Sequence, residues 1–222
     1  MSNVVILGTA HGKNVGGKRS PDGKFEEYQY SREIVGLLRK ELSALGFIVH
    51  VDMMQSEVPL PQTAELRARC KYVNELCAKY GTKNCVYVSI HVDAAGSNGK
   101  WLNAGGWTAY TSRGWTKGDK LATLLYESAK KHLAGYEAIM TEGKTSGAYS
   151  EKQKPYRTDY TDGDPDKEAG FYVLTNTKCP AVLTENLFMD NKSDVAFLTS
   201  AEGKKAIVEH HKSAIVNYFR NE

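Results

Sequence analysis

The sequence contains no long hydrophobic run, and no stretch comes near the roughly 20 apolar residues that a membrane-spanning helix requires. After Met1 the chain passes almost directly into a short apolar segment, without the basic and apolar leader of a secretory signal. We therefore expect no membrane span, and no signal peptide is visible. Internal repeats and linker-like stretches are also missing, which predicts one domain over residues 1–222.

A surplus of charge of one sign is missing too, because 29 Lys and Arg residues face 26 Asp and Glu residues, for a net charge of +3. The basic residues are dispersed along the chain, which argues against a dedicated nucleic-acid surface. Only four cysteines occur and none forms a Cys-x-x-Cys pair, so the pattern does not favour a structural zinc knuckle. We interpret the cysteines as small buried apolar residues.

What the sequence does contain is an alternation of short β-branched runs with stretches of helical periodicity. The runs predict strands that begin at residue 4 and span residues 47–51, 85–91, 106–111, 171–175 and 181–185. The periodic stretches predict helices over residues 26–45, 63–80, 119–133 and 202–219, with a short helix starting at Asn191 or Ser193. This order predicts an α/β fold: a single domain with a mostly parallel, twisted sheet of about six strands and helices on both faces.

Chemically useful side chains stand where these elements start or stop. His11 and His91 follow apolar strands, Glu185 ends another, and Glu26 and Glu27 open the first long helix. In open α/β sheets, ligands bind at the carboxyl ends of the strands. Two histidines and a carboxylate are sufficient ligands for a catalytic zinc ion, and a further carboxylate can move protons during amide hydrolysis.

Ordinary explanations exist for several of these residues. A histidine after a strand is commonly a loop or core residue, and acidic residues favour the positive end of a helix dipole. Glu185 is harder to explain in this way, because a carboxylate at the end of an apolar strand needs a partner or solvent. The adjacent His210 and His211 point about 100° apart on a helix and cannot easily share a metal ion.

Taken together, the motifs resemble the zinc-dependent N-acetylmuramoyl-L-alanine amidases of the amidase 3 type, which occur in bacterial autolysins and phage endolysins. The matching segments follow one another in the family's order over nearly the whole chain. They are Gly8-Thr-Ala-His11-Gly12, Glu26-Glu27-Tyr28, Arg69 with Val73-Asn74, Ser89-Ile-His91-Val-Asp-Ala94, Gly106-Trp-Thr-Ala-Tyr110, Phe171-Tyr-Val-Leu174 and Pro180-Ala-Val-Leu-Thr-Glu185-Asn-Leu-Phe188.

The resemblance implies a Zn²⁺ ion held by His11, a glutamate at the helix start and His91, with Glu185 as the catalytic carboxylate. We choose Glu27 over Glu26, because the family's apolar positions after the ligand then fall on apolar residues here. Counted from Glu27 these positions are Ile34, Val35 and Leu38, whereas counted from Glu26 they are Glu33, Ile34 and Leu37.

The chain also departs from the family pattern. The usual Asp-Pro-Gly before the first histidine is Gly8-Thr-Ala10, and the usual Asn after the second histidine is Asp93. The Arg-Gly that often precedes the Phe-Tyr-Val-Leu segment is missing, and Asp164-Pro-Asp166 occupies that region. Two irregular polar stretches, residues 95–106 and 136–168, exceed what a minimal catalytic domain needs, which is typical of functional loops.

The activity implied by the resemblance is hydrolysis of the amide bond between the lactyl group of N-acetylmuramic acid and L-alanine of the peptidoglycan stem peptide. Two alternatives remain: another zinc peptidase or deacylase on the same scaffold, and a cell-wall-binding module without catalysis. The expected partner is peptidoglycan, through both glycan strand and stem peptide, and the oligomeric state is left open. Residues 1–222 are expected to form one catalytic domain without a separate wall-binding domain. The enzyme is expected to act in the periplasm or outside the cell, as an autolysin or as a phage endolysin that stays cytoplasmic until release.

Overall fold

A computed structural model of the protein describes residues 3–136 and 155–220. The strands are β1 (Val4–Thr9), β2 (Ile48–Val51), β3 (Cys85–Asp93), β4 (Thr108–Thr111), β5 (Lys167–Glu168) and β6 (Ala181–Phe188). The α-helices are α1 (Glu27–Ala44), α2 (Gln62–Tyr80), α3 (Lys117–His132), α4 (Tyr172–Thr175), α5 (Lys192–Thr199) and α6 (Ala201–Arg220), and a short 3-10 helix, Thr82–Asn84, precedes β3.

The six strands form one sheet in the order β2-β1-β3-β6-β4-β5. Pairing is parallel from β2 to β6, β4 runs antiparallel to β6, and β5 runs parallel to β4. Because β1, β3 and β6 are parallel, their carboxyl ends meet at one edge of the sheet. The predicted α/β class and mostly parallel sheet are therefore confirmed.

Both faces of the sheet are covered, because successive strand residues point to opposite sides. On β1, Val5 and Leu7 join a core shared with α1, α3 and α6, whereas Val4 and Ile6 join a second core shared with α2 and α4. All four β1 residues have no solvent-exposed surface. An apolar run without polar alternation is what a strand buried on both faces requires.

The predicted strand at residues 171–175 is wrong, because Tyr172–Thr175 form the short helix α4. Thr175 donates its backbone N–H to the carbonyl oxygen of Phe171, and its hydroxyl donates to the same oxygen. Val173 and Leu174 are both buried in the α2-side core. Two consecutive residues can share one core on a helix, whereas in a strand they would point to opposite faces.

The outer part of the sheet also differs from the expectation. The two-residue strand β5 lies in the stretch 136–168 that we predicted to be irregular, and residues 137–154 of that stretch lie outside the described residues. The helix predicted over residues 26–45 ends at Ala44, and Leu45 is 56% exposed.

Two further expectations can be checked in the part of the chain that the structure describes. All four cysteines are free and buried, as predicted. None of the helices between residues 3 and 136 or between 155 and 220 has the length and apolarity needed to cross a membrane.

Candidate metal centre

Three separate parts of the chain bring together the predicted metal ligands His11, Glu27 and His91. His11 follows β1, His91 lies near the carboxyl end of β3, and Glu27 is the first residue of α1. Their candidate ligand atoms lie within 4.8 Å of one another. The two imidazole rings are nearly perpendicular, at an interplanar angle of 86°, with centroids 5.3 Å apart.

The Glu27 carboxylate is the centre of this group and is 1% exposed. Its Oε1 lies 3.1 Å from Nδ1 of His91 and accepts a hydrogen bond from the backbone N–H of Val92 at 3.2 Å. Its Oε2 is 3.7 Å from Nε2 of His11 and has no hydrogen-bond partner among the described residues. Glu26 precedes the helix, is more exposed and does not belong to the group.

The local electrostatics favour the protonation states that a metal ion needs. Burial lowers the pKa of His11 to about 4, against an opposing effect of the Glu27 charge. Burial by itself would raise the pKa of Glu27, but the hydrogen bond to His91 and the nearby imidazoles lower it overall. His11 is therefore neutral and Glu27 ionised at neutral pH, which are the forms that coordinate metals.

Glu185, the predicted catalytic carboxylate, is the register partner of His91 on the neighbouring strand β6. Side chains of register partners lie on the same face of a sheet, so Glu185 stands beside the His11, Glu27 and His91 group. Burial raises the pKa of the Glu185 carboxyl well above its usual range, and the charges of Asp93 and Glu27 raise it further. Its Oε2 is buried and has no hydrogen-bond partner within residues 3–136 and 155–220.

These residues fit a Zn²⁺ ion. Zinc in catalytic sites is held by three protein ligands, commonly histidines with a carboxylate, which leaves one position for water or substrate. A buried carboxylate oxygen without a hydrogen bond is costly in the absence of a positive partner, and Glu27 Oε2 has no hydrogen-bond partner among residues 3–136 and 155–220. The donor set and this oxygen together indicate where a metal ion would be held.

Several residues around the group could not be identified from the sequence. The hydroxyl of Ser89 lies 3.1 Å from Nε2 of His91 and holds the ring from the side opposite Glu27. The hydroxyl of Ser31 accepts a hydrogen bond from the backbone N–H of Ala10 and donates one to the carbonyl oxygen of Ile90, so it joins the ends of β1 and β3. Ser89 stands in one of the matching motifs, but the motif assigns it no role, and Ser31 belongs to none of them.

Arg157 is a further neighbour, from the stretch that was predicted to be irregular. Its Nη2 lies 2.7 Å from Oδ2 of Asp93, and its guanidinium lies over the Phe188 ring at 4.4 Å. The sequence did contain a signal for this ion pair. Asp93 replaces the usual Asn of the family, and a carboxylate in place of an amide indicates a cation nearby.

An α/β fold that brings two histidines, a buried carboxylate from a helix start and an adjacent glutamate together at one edge of its sheet has the arrangement expected of a metal-dependent amide hydrolase. The sequence profile of Amidase_3, described as N-acetylmuramoyl-L-alanine amidase, matches residues 5–217. The chain therefore belongs to this amidase family, and the resemblance and the enzyme class expected from the motifs are confirmed.

Solved structures share the fold. An N-acetylmuramoyl-L-alanine amidase from Clostridium difficile 630 superposes with a TM-score of 0.75 at 21% identity, over 100% of this chain and 98% of that one. The catalytic domain of CwlV, an N-acetylmuramoyl-L-alanine amidase from Bacillus (Paenibacillus) polymyxa var. colistinus, superposes with a TM-score of 0.72 at 18% identity, over 99% of each chain.

A curated relative matches over a shorter stretch. The endolysin of Bacillus phage SPP1 is 46% identical over 50 residues, which is 22% of this chain and 18% of the endolysin. The matched stretch thus spans less than a fifth of that relative.

Proposed function

We propose that the protein hydrolyses the amide bond between the lactyl group of N-acetylmuramic acid and L-alanine in peptidoglycan, with a zinc ion held by His11, Glu27 and His91. The observation that carries the proposal is the convergence of two imidazoles on one buried carboxylate, beside the strand that carries Glu185. Membership of the amidase family supports the choice of bond.

In this mechanism, a bound zinc ion would lower the pKa of a water molecule and polarise the lactyl carbonyl oxygen. Glu185 accepts a proton from the attacking water as the new carbon–oxygen bond forms. It then donates that proton to the L-alanine nitrogen as the carbon–nitrogen bond breaks. The products are a lactyl carboxylic acid on the glycan and a stem peptide with a free amino terminus, so one water molecule is consumed per bond.

The surroundings of Glu185 suit a group that must both accept and return a proton. Its pKa is raised by burial and by the Asp93 and Glu27 charges, so the protonated form is easily reached. A cation held by Glu27 would offset the charge of that residue, and the ionised form of Glu185 would then become accessible as well. A general acid and base works best when both forms are accessible near the working pH.

We further propose that the enzyme acts on the cell wall, in the periplasm or outside the cell. The 50-residue likeness to a phage endolysin supports a protein that is held in the cytoplasm until release. The autolysin alternative predicts the same chemistry on the same bond. That residues 1–222 form one catalytic domain stays a prediction.

Digestion of purified sacculi tests the proposal. Mass spectrometry of the soluble products should find stem peptides with L-alanine at a free amino terminus, and a zinc chelator should abolish their release until zinc is restored. Release of D-alanine, or of peptides with other new termini, would instead indicate a zinc peptidase on this scaffold. Binding to sacculi without any released product would indicate a wall-binding module.

A further inference from the structure

Arg32 lies on α1, one turn after Glu27, and is 8% exposed. Among the described residues 3–136 and 155–220, no carboxylate lies within 4.0 Å of its guanidinium. A buried charge without an opposite charge in contact is costly to keep, which makes stability alone a poor reason for an arginine here.

Within the part of the chain that the structure describes, the guanidinium instead donates to backbone carbonyl oxygens. Nη1 donates to Ala10 at 2.8 Å and to Tyr28 at 2.9 Å. Nη2 donates to His11 at 2.8 Å and to Gln55 at 2.9 Å, and Nε donates to Gln55 at 3.2 Å. These five contacts match the five N–H donors that an arginine side chain carries.

The acceptors belong to the segments that carry the candidate ligands. The carbonyls of Ala10 and His11 flank the His11 α-carbon, and Tyr28 directly follows Glu27 in the chain. Gln55 belongs to the loop between β2 and α2, and the chain after His11 docks on that loop through the bond from the Lys13 N–H to the Ser56 carbonyl. One side chain therefore connects two of the three ligand-bearing segments, those of His11 and Glu27, to the loop that contains Gln55.

The backbone of His11 needs such support. Its φ angle is +22°, in the region that residues other than glycine rarely adopt. Conformations of this kind persist only where the surrounding structure holds them. Without the donors that bind its own carbonyl and that of Ala10, the turn would relax and its imidazole would move relative to Glu27.

We propose that Arg32 is a positioning residue of the metal centre, which fixes the His11 turn against the first turn of α1 so that His11 and Glu27 are held ready for the ion. This inference rests on the proposed function. Arg32 itself does not belong to the candidate ligand group. Groups that orient metal ligands typically contribute about 10- to 100-fold to metal affinity or activity.

The test measures zinc affinity, with Zn²⁺ itself as the probe in competition with a fluorescent chelator. Arg32→Met should bind zinc about 10- to 100-fold more weakly than the wild type. Arg32→Lys keeps the charge but has three donors in place of five, so its affinity should fall between the two. Arg39→Met, on the exposed side of the same helix, is the matched control and should bind zinc like the wild type.

Two further readouts separate positioning from a general loss of structure. In the Co²⁺-substituted Arg32→Lys protein, the visible absorption bands should change in position or intensity, because they report ligand geometry. With a soluble muropeptide at saturating zinc, kcat should fall for this variant whereas KM stays within about twofold, as expected for a lost orientation of catalytic groups.

Each result counts for or against one claim. If the wild type binds no zinc at this site, the proposed metal centre fails and the role of Arg32 fails with it. If the wild type binds zinc and both folded Arg32 variants bind it equally well, only the role of Arg32 is overturned. If neither variant folds, Arg32 acts in folding, and the positioning role is likewise overturned.

Discussion

Glu185 is the residue on which the proposed chemistry depends, and its substitution gives the first prediction. Glu185→Gln keeps the size and a hydrogen-bonding amide but cannot take up a proton, so kcat should fall by about 100-fold or more. Zinc content, measured by elemental analysis, should stay at the wild-type level because Glu185 is not one of the proposed ligands.

Glu26→Gln is the matched control for this prediction, since Glu26 lies outside the ligand group. It should retain both zinc and turnover, whereas Glu27→Gln should lose zinc. Near-normal turnover of Glu185→Gln would contradict the assigned role.

Asp166 allows a second prediction, about stability and pH. It is 2% exposed, its Oδ2 accepts a hydrogen bond from the Thr111 hydroxyl at 2.6 Å, and burial together with the neighbouring Asp164 raises its pKa to about 8. The folded protein therefore keeps Asp166 protonated at pH values where the unfolded chain ionises it. This contribution to stability is complete below about pH 4 and is lost as the pH rises towards 8.

Asp166→Asn mimics the protonated carboxyl at every pH. Its Tm should exceed that of the wild type by at least about 2 °C at pH 8, and the difference should shrink towards pH 4.5. Asp162→Asn, at an exposed position of the same loop, should leave Tm unchanged at both pH values. A difference for Asp166→Asn that does not depend on pH would show that the carboxyl is ionised in the folded protein.

Close contact between α5 and α6 gives a prediction about helix packing. A Cβ atom at Gly203, in the first turn of α6, would lie only 1.9 Å from the carbonyl oxygen of Phe197 in α5. Gly203→Ala should therefore lower the free energy of unfolding by about 1–3 kcal/mol, as overpacked sites do. Urea unfolding of the zinc-loaded protein measures this change.

A Gly→Ala substitution on α1 should instead raise the free energy of unfolding. Gly36 is exposed in the middle of this helix, and a Cβ there meets nothing within 4 Å. Gly36→Ala should stabilise the protein by about 0.5–1 kcal/mol through helix propensity alone. Equal unfolding curves for Gly203→Ala and the wild type would contradict the close approach of α5 and α6.

Most strands and helices could be predicted from the sequence, because the spacing of their apolar residues matches the faces that are buried in the fold. The run Val4–Leu7 is apolar throughout because both faces of β1 are buried, and the spacing of Ile34, Val35 and Leu38 follows the buried stripe of α1. Helix α4 could not be predicted, because Tyr-Val-Leu-Thr has strand propensity and only the packing of Val173 and Leu174 on α2 decides its conformation.

The arrangement of the site was predictable for a topological reason. Parallel strands place their carboxyl ends at one edge, so residues after β1 and near the end of β3 must approach one another. The sequence alone could not reveal which other residues hold these site residues in place. The contacts of Ser31 and Arg32 with backbone carbonyl and N–H groups depend on the tertiary placement of α1, and nothing in the local sequence marks them.

The buried histidines make the stability of the whole protein depend on pH. His210 has no exposed surface, lies between Trp107 and His211, and its ring nitrogens have no hydrogen-bond partner among the described residues. Burial lowers its pKa well below the ordinary value of about 6.5. Stability is therefore fully present above about pH 6.5 and falls as the pH drops, since only the unfolded chain binds the proton.

His210→Phe keeps a ring in this position but removes the titration. Relative to the wild type, the variant should gain more in free energy of unfolding at pH 5 than at pH 7.5, because the wild type loses the contribution of neutral His210 as the pH falls. Urea unfolding at the two pH values measures this. An equal difference at both values would mean that His210 is protonated in the folded protein.

We propose that His11, Glu27 and His91 hold a zinc ion beside Glu185. A crystal structure of the zinc-loaded protein, with anomalous diffraction data collected on both sides of the zinc absorption edge, would locate this ion. We expect one strong anomalous peak at about 2.0–2.2 Å from His11 Nε2, His91 Nδ1 and an oxygen of Glu27. Absence of a peak there, or a zinc ion bound only at other residues, would contradict it.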